Sequence, residues 1–243
     1  MRLENKLLSS VKGKDNDTSV KGIWIGLHWS AVEGKYIGMS HTYKTSQKVY
    51  IQDAGELSSF SVGQLADRLL SREPLEASIG AAALNSFIEP KGTKGSINSY
   101  IKKNARNKIV TIIGRFPFNN EISKIARKTY LLEMEPEKDE LPASAAEEIL
   151  PSSELNVITA TALINHTLQR LLELGDNGIN IILGPSTPLS PILFDFGADI
   201  LAGVEVYNKD AIVKSITQGA KKFQLLNGLE PICLYNKKIA SQK

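Results

Sequence analysis

The chain has 243 residues, of which 29 are Lys or Arg, 26 are Asp or Glu and 42% are apolar. A net charge of +3 is too small and too dispersed for a nucleic-acid-binding protein, which concentrates basic residues on one face. The single cysteine, Cys233, excludes a disulfide framework and a multi-thiolate zinc site, and no apolar run approaches the ~20 residues of a membrane helix. We therefore expect a cytoplasmic protein with no membrane and no nucleic-acid partner.

The first 90 residues predict a small α+β domain. Leu3, Leu7 and Val11 have the spacing of an amphipathic helix. Glycine opening a two-residue turn at Gly34-Lys35 favours a type II′ hairpin between two apolar runs. The predicted elements, in order, are a helix over 1–12, a polar loop over 12–18, strands over 20–30 and 36–43, and helices over 62–70 and 75–88.

The predicted hairpin suggests a metal site, although no specific sequence motif accompanies it. A turn at Gly34-Lys35 pairs His28 with His41 on one face, with their Cβ atoms roughly 5 Å apart. Two imidazoles so placed can share a divalent transition metal, with Glu133 as a further ligand, or form a histidine pair without metal. No C-x-x-C or H-x-x-x-H spacing accompanies them, so a closed structural zinc site is not predicted.

Residues 90–96 have the composition of a linker, and the pattern changes after them. Short, wholly apolar strands alternate with helices in the second domain, residues 97–243, and this alternation is typical of a doubly wound parallel sheet covered on both faces. The predicted strands are 108–113, 130–135, 155–159, 179–183, 199–204 and 229–235, with helices over 121–128, 143–150, 161–174, 189–196 and 209–219.

In such a sheet, ligands bind beyond the carboxyl ends of the strands, where the strand order reverses. Glycines follow several of the predicted strands, and glycine permits a close approach of backbone to ligand. The candidate residues at these ends are Gly114, Arg115, Phe116, Pro117, Glu133, Glu135, Thr159, Thr161, Gly184, Pro185, Ser186, Thr187, Pro188 and Gly203.

Glu133 suggests a nucleotide cofactor such as S-adenosylmethionine or NAD. It follows Gly114 by 19 residues, close to the spacing of the acidic residue that binds ribose in dinucleotide-binding folds. The G-x-G-x-x-G phosphate cradle is missing, and a solvated strand end explains the same carboxylate.

Two hydroxyl-bearing positions are further candidates. Thr161 is placed to cap a helix that carries Asn165, where free N–H groups attract an anionic group. Ser186 and Thr187 lie between two prolines that restrict the backbone, so their hydroxyls are held in place. The G-x-S-x-G elbow is absent, which argues against a serine nucleophile.

Four stretches resemble a family of bacterial and archaeal proteins named for heavy-metal chelation, whose function is not established. The resemblance covers about nine-tenths of the chain, in the same order and spacing. It implies an enolase-N-terminal-like α+β domain joined to a Rossmann-like domain, with the site in the cleft between them. The stretches are EASIGAAALNSF (76–87), IIGRFPF (112–118), NVITATALINHTLQRLLEL (156–174) and GPSTPLSPILFDFGADILAG (184–203).

The resemblance implies a protein that binds a metal or a metal-binding small molecule. The alternatives are an enzyme with a nucleotide-type cofactor and a non-catalytic subunit, and a homodimer is compatible with the sheet. Arg115 occupies a position that we expect to vary within the family. The positions that match it are Asn85, Gly114, Phe116, Pro117, Glu133, Thr161, Asn165, Gly184, Pro185, Thr187, Pro188 and Gly203.

Overall fold

The N-terminal part combines three helices with a small antiparallel sheet. A computed structural model describes residues 1–11, 18–43, 50–221 and 227–240, so most of the predicted loop over 12–18 lies outside the described residues. The sheet has the order β1-β2-β3. The elements are α1 (Leu3–Val11), β1 (Gly22–Ile25), β2 (Trp29–Glu33), β3 (Ile37–His41), α2 (Val62–Asp67), which a 3₁₀ turn continues to Leu70, and α3 (Pro74–Phe87).

Helix α3 packs on the small sheet at very short range. A Cβ atom added at Gly38 would lie 2.1 Å from the carbonyl oxygen of Ala82, so glycine is required where β3 crosses the helix. Pro74 occupies the first turn of α3, where its missing N–H costs nothing. Helix α2 begins with a capping box, in which Ser61 and Gln64 exchange side-chain and backbone hydrogen bonds. The predicted helices in this part are thus observed.

The predicted hairpin register is wrong by one residue. Strand β3 pairs Trp29, not His28, with His41, because the connection is a three-residue turn over 34–36. In that turn the N–H of Tyr36 donates to the carbonyl oxygen of Ser86 on α3 (2.9 Å), a tertiary contact that local turn preferences do not include. The predicted strand over 20–30 is also two antiparallel strands, β1 and β2, and His28 lies in the bend between them.

The C-terminal part is the predicted, mostly parallel sheet. Its strands follow the order β4-β11-β10-β9-β8-β5-β6-β7, in which β11 runs antiparallel to both of its neighbours, β10 and β4, and the other described pairs are parallel. The two-residue strand β4 lies within the segment predicted as a linker. The strands are β4 (Thr93–Lys94), β5 (Ile109–Ile113), β6 (Lys128–Glu133), β7 (Leu141–Pro142), β8 (Leu155–Thr159), β9 (Ile179–Leu183), β10 (Ile200–Val206) and β11 (Leu229–Tyr235).

Helices cover both faces of this sheet, and three of the predicted helices differ in the structure. The helix expected over 161–174 is broken at 165–167, where His166 has a positive φ of 62°, and the segment 191–196 is a 3₁₀ helix. The segment over 143–152 is helical but mixed with 3₁₀ turns. The α-helices are α4 (Asn98–Ala105), α5 (Asn119–Ile125), α6 (Ala146–Ile149), α7 (Thr161–Ile164), α8 (Leu168–Leu174), α9 (Lys209–Thr217) and α10 (Lys237–Ala240).

One apolar core joins the two parts. Leu7 of α1 and Leu84 of α3 belong to the same buried cluster as Leu163 of α7 and Leu193 of the 3₁₀ helix. At the edge of this cluster, the N–H of Leu3 donates to the side chain of Gln169 on α8 (3.0 Å). In the part of the chain that is described, no helix is long and apolar enough to cross a membrane.

Candidate functional site

The strand order reverses between β5 and β8, and a cavity of about 430 Å³ opens at that point. Parallel sheets bind ligands at such reversals because the connections on the two sides diverge and leave a crevice. We call this cavity the switch-point cleft. It is lined by Trp29, His41, Tyr43, Gly114, Arg115, Phe116, Glu133, Thr159, Ala160, Thr161, Leu183, Gly184, Pro185 and Ser186.

The floor of the cleft consists of the residues that follow β5 and end β8. Gly114 has a φ of +110°, and a Cβ atom there would lie 2.9 Å from Cβ of Thr159, so only glycine lets the two strand ends lie this close. The hydroxyls of Thr159 and Thr161 are 3.0 Å apart and share a hydrogen bond. Ala160, not Thr161, is the N-cap of the four-residue α7, so the predicted capping role of Thr161 is wrong.

Asn119 holds the turn that follows β5, and the sequence analysis missed it. Its Oδ1 accepts from the N–H of Phe116 (3.3 Å), and its Nδ2 donates to the carbonyl oxygen of Gly114 (3.3 Å). The side chain is buried at the start of α5. An asparagine three residues after the start of a turn is a recognisable signal for such a side-chain-to-backbone bond.

Glu133 ends β6 and is the carboxylate of the cleft. Burial raises the pKa of Glu133, and the positive charge of Arg115 opposes this rise only in part. One carboxylate oxygen accepts from the N–H of Met134 at 3.3 Å. A partly buried carboxylate with a raised pKa in a cleft is a common feature of functional sites.

Arg115 lies at the rim and is engaged by the loop that follows β6. Its guanidinium donates two hydrogen bonds to the carboxylate of Glu140 (2.9 and 2.7 Å) and one to the carbonyl oxygen of Glu135 (2.8 Å). This bidentate bond lowers the pKa of Glu140 to about 2. Arg115 therefore joins two loops beside Glu133 rather than pointing freely at a ligand.

Aromatic side chains from the N-terminal part form the opposite wall. The ring of His41 packs edge-on against Trp29 (centroids 5.5 Å apart) and Tyr43 (6.4 Å). Trp29 is 7% exposed, and its Nε1 donor has no partner among the described residues. Trp29 lines the cleft, although this nitrogen atom itself is buried.

The predicted histidine pair is not formed. His41 lines the cleft, whereas His28 lies in the bend before β2 and is not across from it. In the described ranges (1–11, 18–43, 50–221 and 227–240), no three His, Cys, Asp or Glu side chains gather as a metal-binding group. The donor set thus does not fit a bare transition metal held by protein ligands alone.

The segment 185–188 closes the junction between the two parts. Ser186 Oγ accepts from the N–H of His41 (2.8 Å), and Thr187 Oγ1 donates to the carbonyl oxygen of Ala202 (3.2 Å). Asn85 donates from Nδ2 to the carbonyl oxygens of Met39 (2.9 Å) and Ser186 (3.1 Å). Asn85 and Ser186 thus connect the two parts of the chain through these hydrogen bonds, and Thr187 attaches the segment to β10.

A water-sized void of about 20 Å³ lies beside this junction, lined by Asn85 and Thr187. The Oδ1 atom of Asn85 has no partner within the described part of the chain. A void of this size would hold one water molecule, which would donate to this oxygen. Pro188 is buried, and Gly203 lies inside β10 rather than at its end, where a Cβ would come 3.1 Å from the carbonyl oxygen of Thr187.

Asn165 lines a second cavity of about 450 Å³, which we call the helix-side pocket. It shares Gly114, Glu133, Thr159 and Thr161 with the switch-point cleft. Asn165 accepts from the hydroxyl of Thr167 at 2.7 Å and so stabilises the break between α7 and α8. The N–H of Asn165 donates to the carbonyl oxygen of Thr161 (3.2 Å), so the two residues lie one helical turn apart and both line this pocket.

A third cavity of about 460 Å³, the apolar pocket, adjoins the cleft on the side of β10 and β11. It shares Leu183, Gly184 and Pro185 with the cleft. Pro117 and Gly203, two of the predicted site residues, line this pocket. Its other lining residues are Gly95, Ser96, Ile97, Asn98, Lys102, Phe118, Glu121, Ala202, Val204, Leu229, Pro231 and Cys233.

Sequence and structure comparisons both find related proteins. Residues 99–229 match the profile of the DUF364 family, and residues 6–88 match that of DUF4213, both described as "Putative heavy-metal chelation". Among curated proteins, none is significantly similar to the chain in sequence.

Two of the similar solved structures are proteins of unknown function from the DUF364 family. The one from Desulfitobacterium hafniense DCB-2 is 23% identical, with a TM-score of 0.87 over 96% of this chain and 99% of the other. The one from Pyrococcus horikoshii is 19% identical, with a TM-score of 0.82 over 96% of this chain and 100% of the other. At these identities, the likeness shows that the fold is shared.

Proposed function

Because this chain belongs to the DUF364 family, we propose that it binds a small metal-chelating molecule, free or with its metal, in the switch-point cleft. The observation that carries this proposal is the cleft itself. It has about 430 Å³ at the reversal of strand order, with walls from both parts of the chain. That volume suits a small molecule and far exceeds a single ion.

The donor set favours a chelate over a bare ion. Glu133 and His41 are the side chains of the cleft that coordinate metals readily, and two ligands leave at least half of a coordination sphere to other donors. An organic chelator would supply them. A metal handled in this way is cargo, and the protein recognises the molecule around it.

Three groups have defined roles in this proposal. The carboxylate of Glu133 accepts from a hydroxyl or amine of the ligand, or binds its metal. The hydroxyls of Thr159 and Thr161 donate and accept on the floor, where Gly114 permits close approach. Trp29 provides aromatic surface for the ligand on the opposite wall.

Calorimetry tests this proposal. The protein is titrated with nickel, cobalt, copper or zinc salts, and then with each metal presented as its 1:1 iminodiacetate complex. We expect binding of the complexes at micromolar concentrations and weaker or no binding of the bare salts. Titrations in which neither form binds would overturn the proposal.

The matched variants are Glu133→Gln and Glu135→Gln. Both remove one negative charge near the end of β6, but only Glu133 lines the cleft, and the side chain of Glu135 is exposed. Glu133→Gln should weaken binding of the complex at least tenfold, whereas Glu135→Gln should bind as the wild type does. Equal effects of the two variants would reduce the role of Glu133 to its long-range charge.

A nucleotide cofactor is a second candidate, supported by one observation. Glu133 at the end of β6 and Gly114 after β5 line the same cleft, the relative position that ribose-binding acids have in dinucleotide folds. Thermal shift with S-adenosylmethionine and NAD tests this. A stabilisation that Glu133→Gln abolishes would favour the cofactor, and the absence of any shift would exclude it.

A further inference from the structure

The apolar pocket has the size and lining of a site for a hydrocarbon group. Its volume of about 460 Å³ equals that of the switch-point cleft within a tenth, but its walls are different. Phe118, Leu183 and Val204 contribute side chains with no polar atom, and Pro231 and Leu229 extend this surface along β11. Transfer of apolar surface from water into such a pocket is favourable by roughly 25 cal/mol per Å².

The polar groups of the apolar pocket lie on its helical side. Lys102 of α4 and Glu121 of α5 form an ion pair with Nζ and Oε1 2.7 Å apart, and both side chains are about half exposed. The thiol of Cys233 is buried against the carbonyl oxygen of Gly95 at 3.5 Å. Because these polar groups bind each other or the backbone, the pocket offers a ligand mainly apolar contacts.

The apolar pocket and the switch-point cleft adjoin each other at Gly184. Gly184 lines both cavities, and a Cβ atom added there would meet no heavy atom within 4 Å beyond its chain neighbours. Its φ of +130° is a conformation that glycine adopts freely and that a residue with a side chain would adopt only with strain. Leu183 and Pro185, its chain neighbours, also line both cavities.

We infer that the ligand is an elongated, amphipathic molecule. Its polar, metal-chelating end lies in the switch-point cleft at Glu133, Thr159 and Thr161, and its hydrocarbon part crosses Gly184 into the apolar pocket. This inference rests on the proposed function and adds the class of ligand to it. Three shared lining residues and the open space beside Gly184 support one molecule as the occupant of both cavities.

The test is a series of chelators that differ only in an alkyl chain. The probes are the nickel complexes of N-methyl-, N-butyl- and N-octyliminodiacetate, titrated into the full chain by calorimetry below their aggregation concentrations. Each buried methylene adds about 0.8 kcal/mol, which is roughly a fourfold gain in affinity. Ordering of the chain offsets part of this gain, so we expect at least a tenfold increase from methyl to octyl.

Ala202→Leu fills the pocket, and Ala240→Leu is its control. Ala202 is buried on the wall of the apolar pocket, whereas Ala240 is an exposed residue of α10. Ala202→Leu should reduce the methyl-to-octyl gain to less than threefold, and Ala240→Leu should keep it. If Ala202→Leu fails to fold, as judged by circular dichroism, nickel-free octyl- and methyliminodiacetate competing for the wild-type protein provide the same comparison.

The outcomes separate this inference from the proposed function. If the methyl complex binds and the octyl chain adds less than threefold, the proposed function survives and the amphipathic ligand is overturned. If no complex binds, both are overturned. If 1-octanol binds as tightly as the octyl complex, or the octyl complex binds only as the protein dimerises in light scattering, the pocket serves another occupant and the inference is also overturned.

Discussion

Replacement of Asn85 by alanine tests whether this side chain holds the two parts of the chain together. Asn85 donates hydrogen bonds to the carbonyl oxygens of Met39 (2.9 Å) and Ser186 (3.1 Å), both in buried residues. Two such bonds contribute about 1–3 kcal/mol. Alanine has a higher helix propensity than asparagine, and this difference stabilises α3 by about 0.6 kcal/mol.

The expected net loss for Asn85→Ala is therefore about 1–2 kcal/mol of unfolding free energy. For a chain of this length, that loss lowers the Tm by roughly 3–6 °C. Urea denaturation followed by circular dichroism measures the first quantity, and differential scanning fluorimetry measures the second. Both are read without ligand, so that a role in binding does not enter.

Asn104→Ala is the matched control, because Asn104 is also a helical asparagine. Its Nδ2 makes one local bond, to the carbonyl oxygen of Tyr100 (2.9 Å), so we expect a change within about 0.5 kcal/mol. Equal stability of the two variants would refute the junction role of Asn85. Equal stability together with lost ligand binding would assign Asn85 to the ligand, as the sequence analysis expected.

Three further predictions concern the cleft and its supports. Burial raises the pKa of Glu133, so just above the ordinary carboxyl pKa the folded chain holds more protons than the unfolded chain. The unfolding free energy therefore falls as the pH rises through this window. Glu133→Gln should flatten this fall, as measured by urea midpoints between about pH 4 and about pH 7. Arg115 lowers the pKa of Glu140 to about 2. The stability that the ion pair contributes is therefore lost as the pH falls from the ordinary carboxyl pKa towards that value. The Tm of Arg115→Ala should fall less than that of the wild type between about pH 5 and about pH 2.5. Gly38→Ala should cost about 1–3 kcal/mol or prevent folding, since the new Cβ would lie 2.1 Å from the carbonyl oxygen of Ala82; a wild-type Tm would show that α3 can move away.

The parallel strands could be predicted from sequence because burial on both faces leaves a local trace. Residues 155–159 and 179–183 are short apolar runs, and the observed parallel strands have the same bounds. The antiparallel β11 also has its predicted bounds, 229–235. The position of Glu133 at the edge of the cleft follows from the rule for parallel sheets and the order of strands.

The remaining errors arise where distant contacts decide the local structure. Tyr36 bonds to Ser86 on α3, which lengthens the turn to three residues and moves His28 away from His41. At the break between α7 and α8, His166 Nε2 donates to the carbonyl oxygen of Ser71 (2.8 Å), although the apolar spacing there is continuous. Neither contact leaves a signal in the neighbouring sequence.

The core shared by both parts limits how a molecule enters the cleft. Leu7 and Leu84 pack in one cluster with Leu163 and Leu193, so a jaw-like rotation of one part away from the other would expose this surface to water. A ligand would then enter at the rim, where the Arg115–Glu140 ion pair joins two loops. Breaking such an exposed ion pair costs little free energy. We therefore expect a ligand of the cleft to enter and leave by movement of these two loops, with the shared apolar core kept intact.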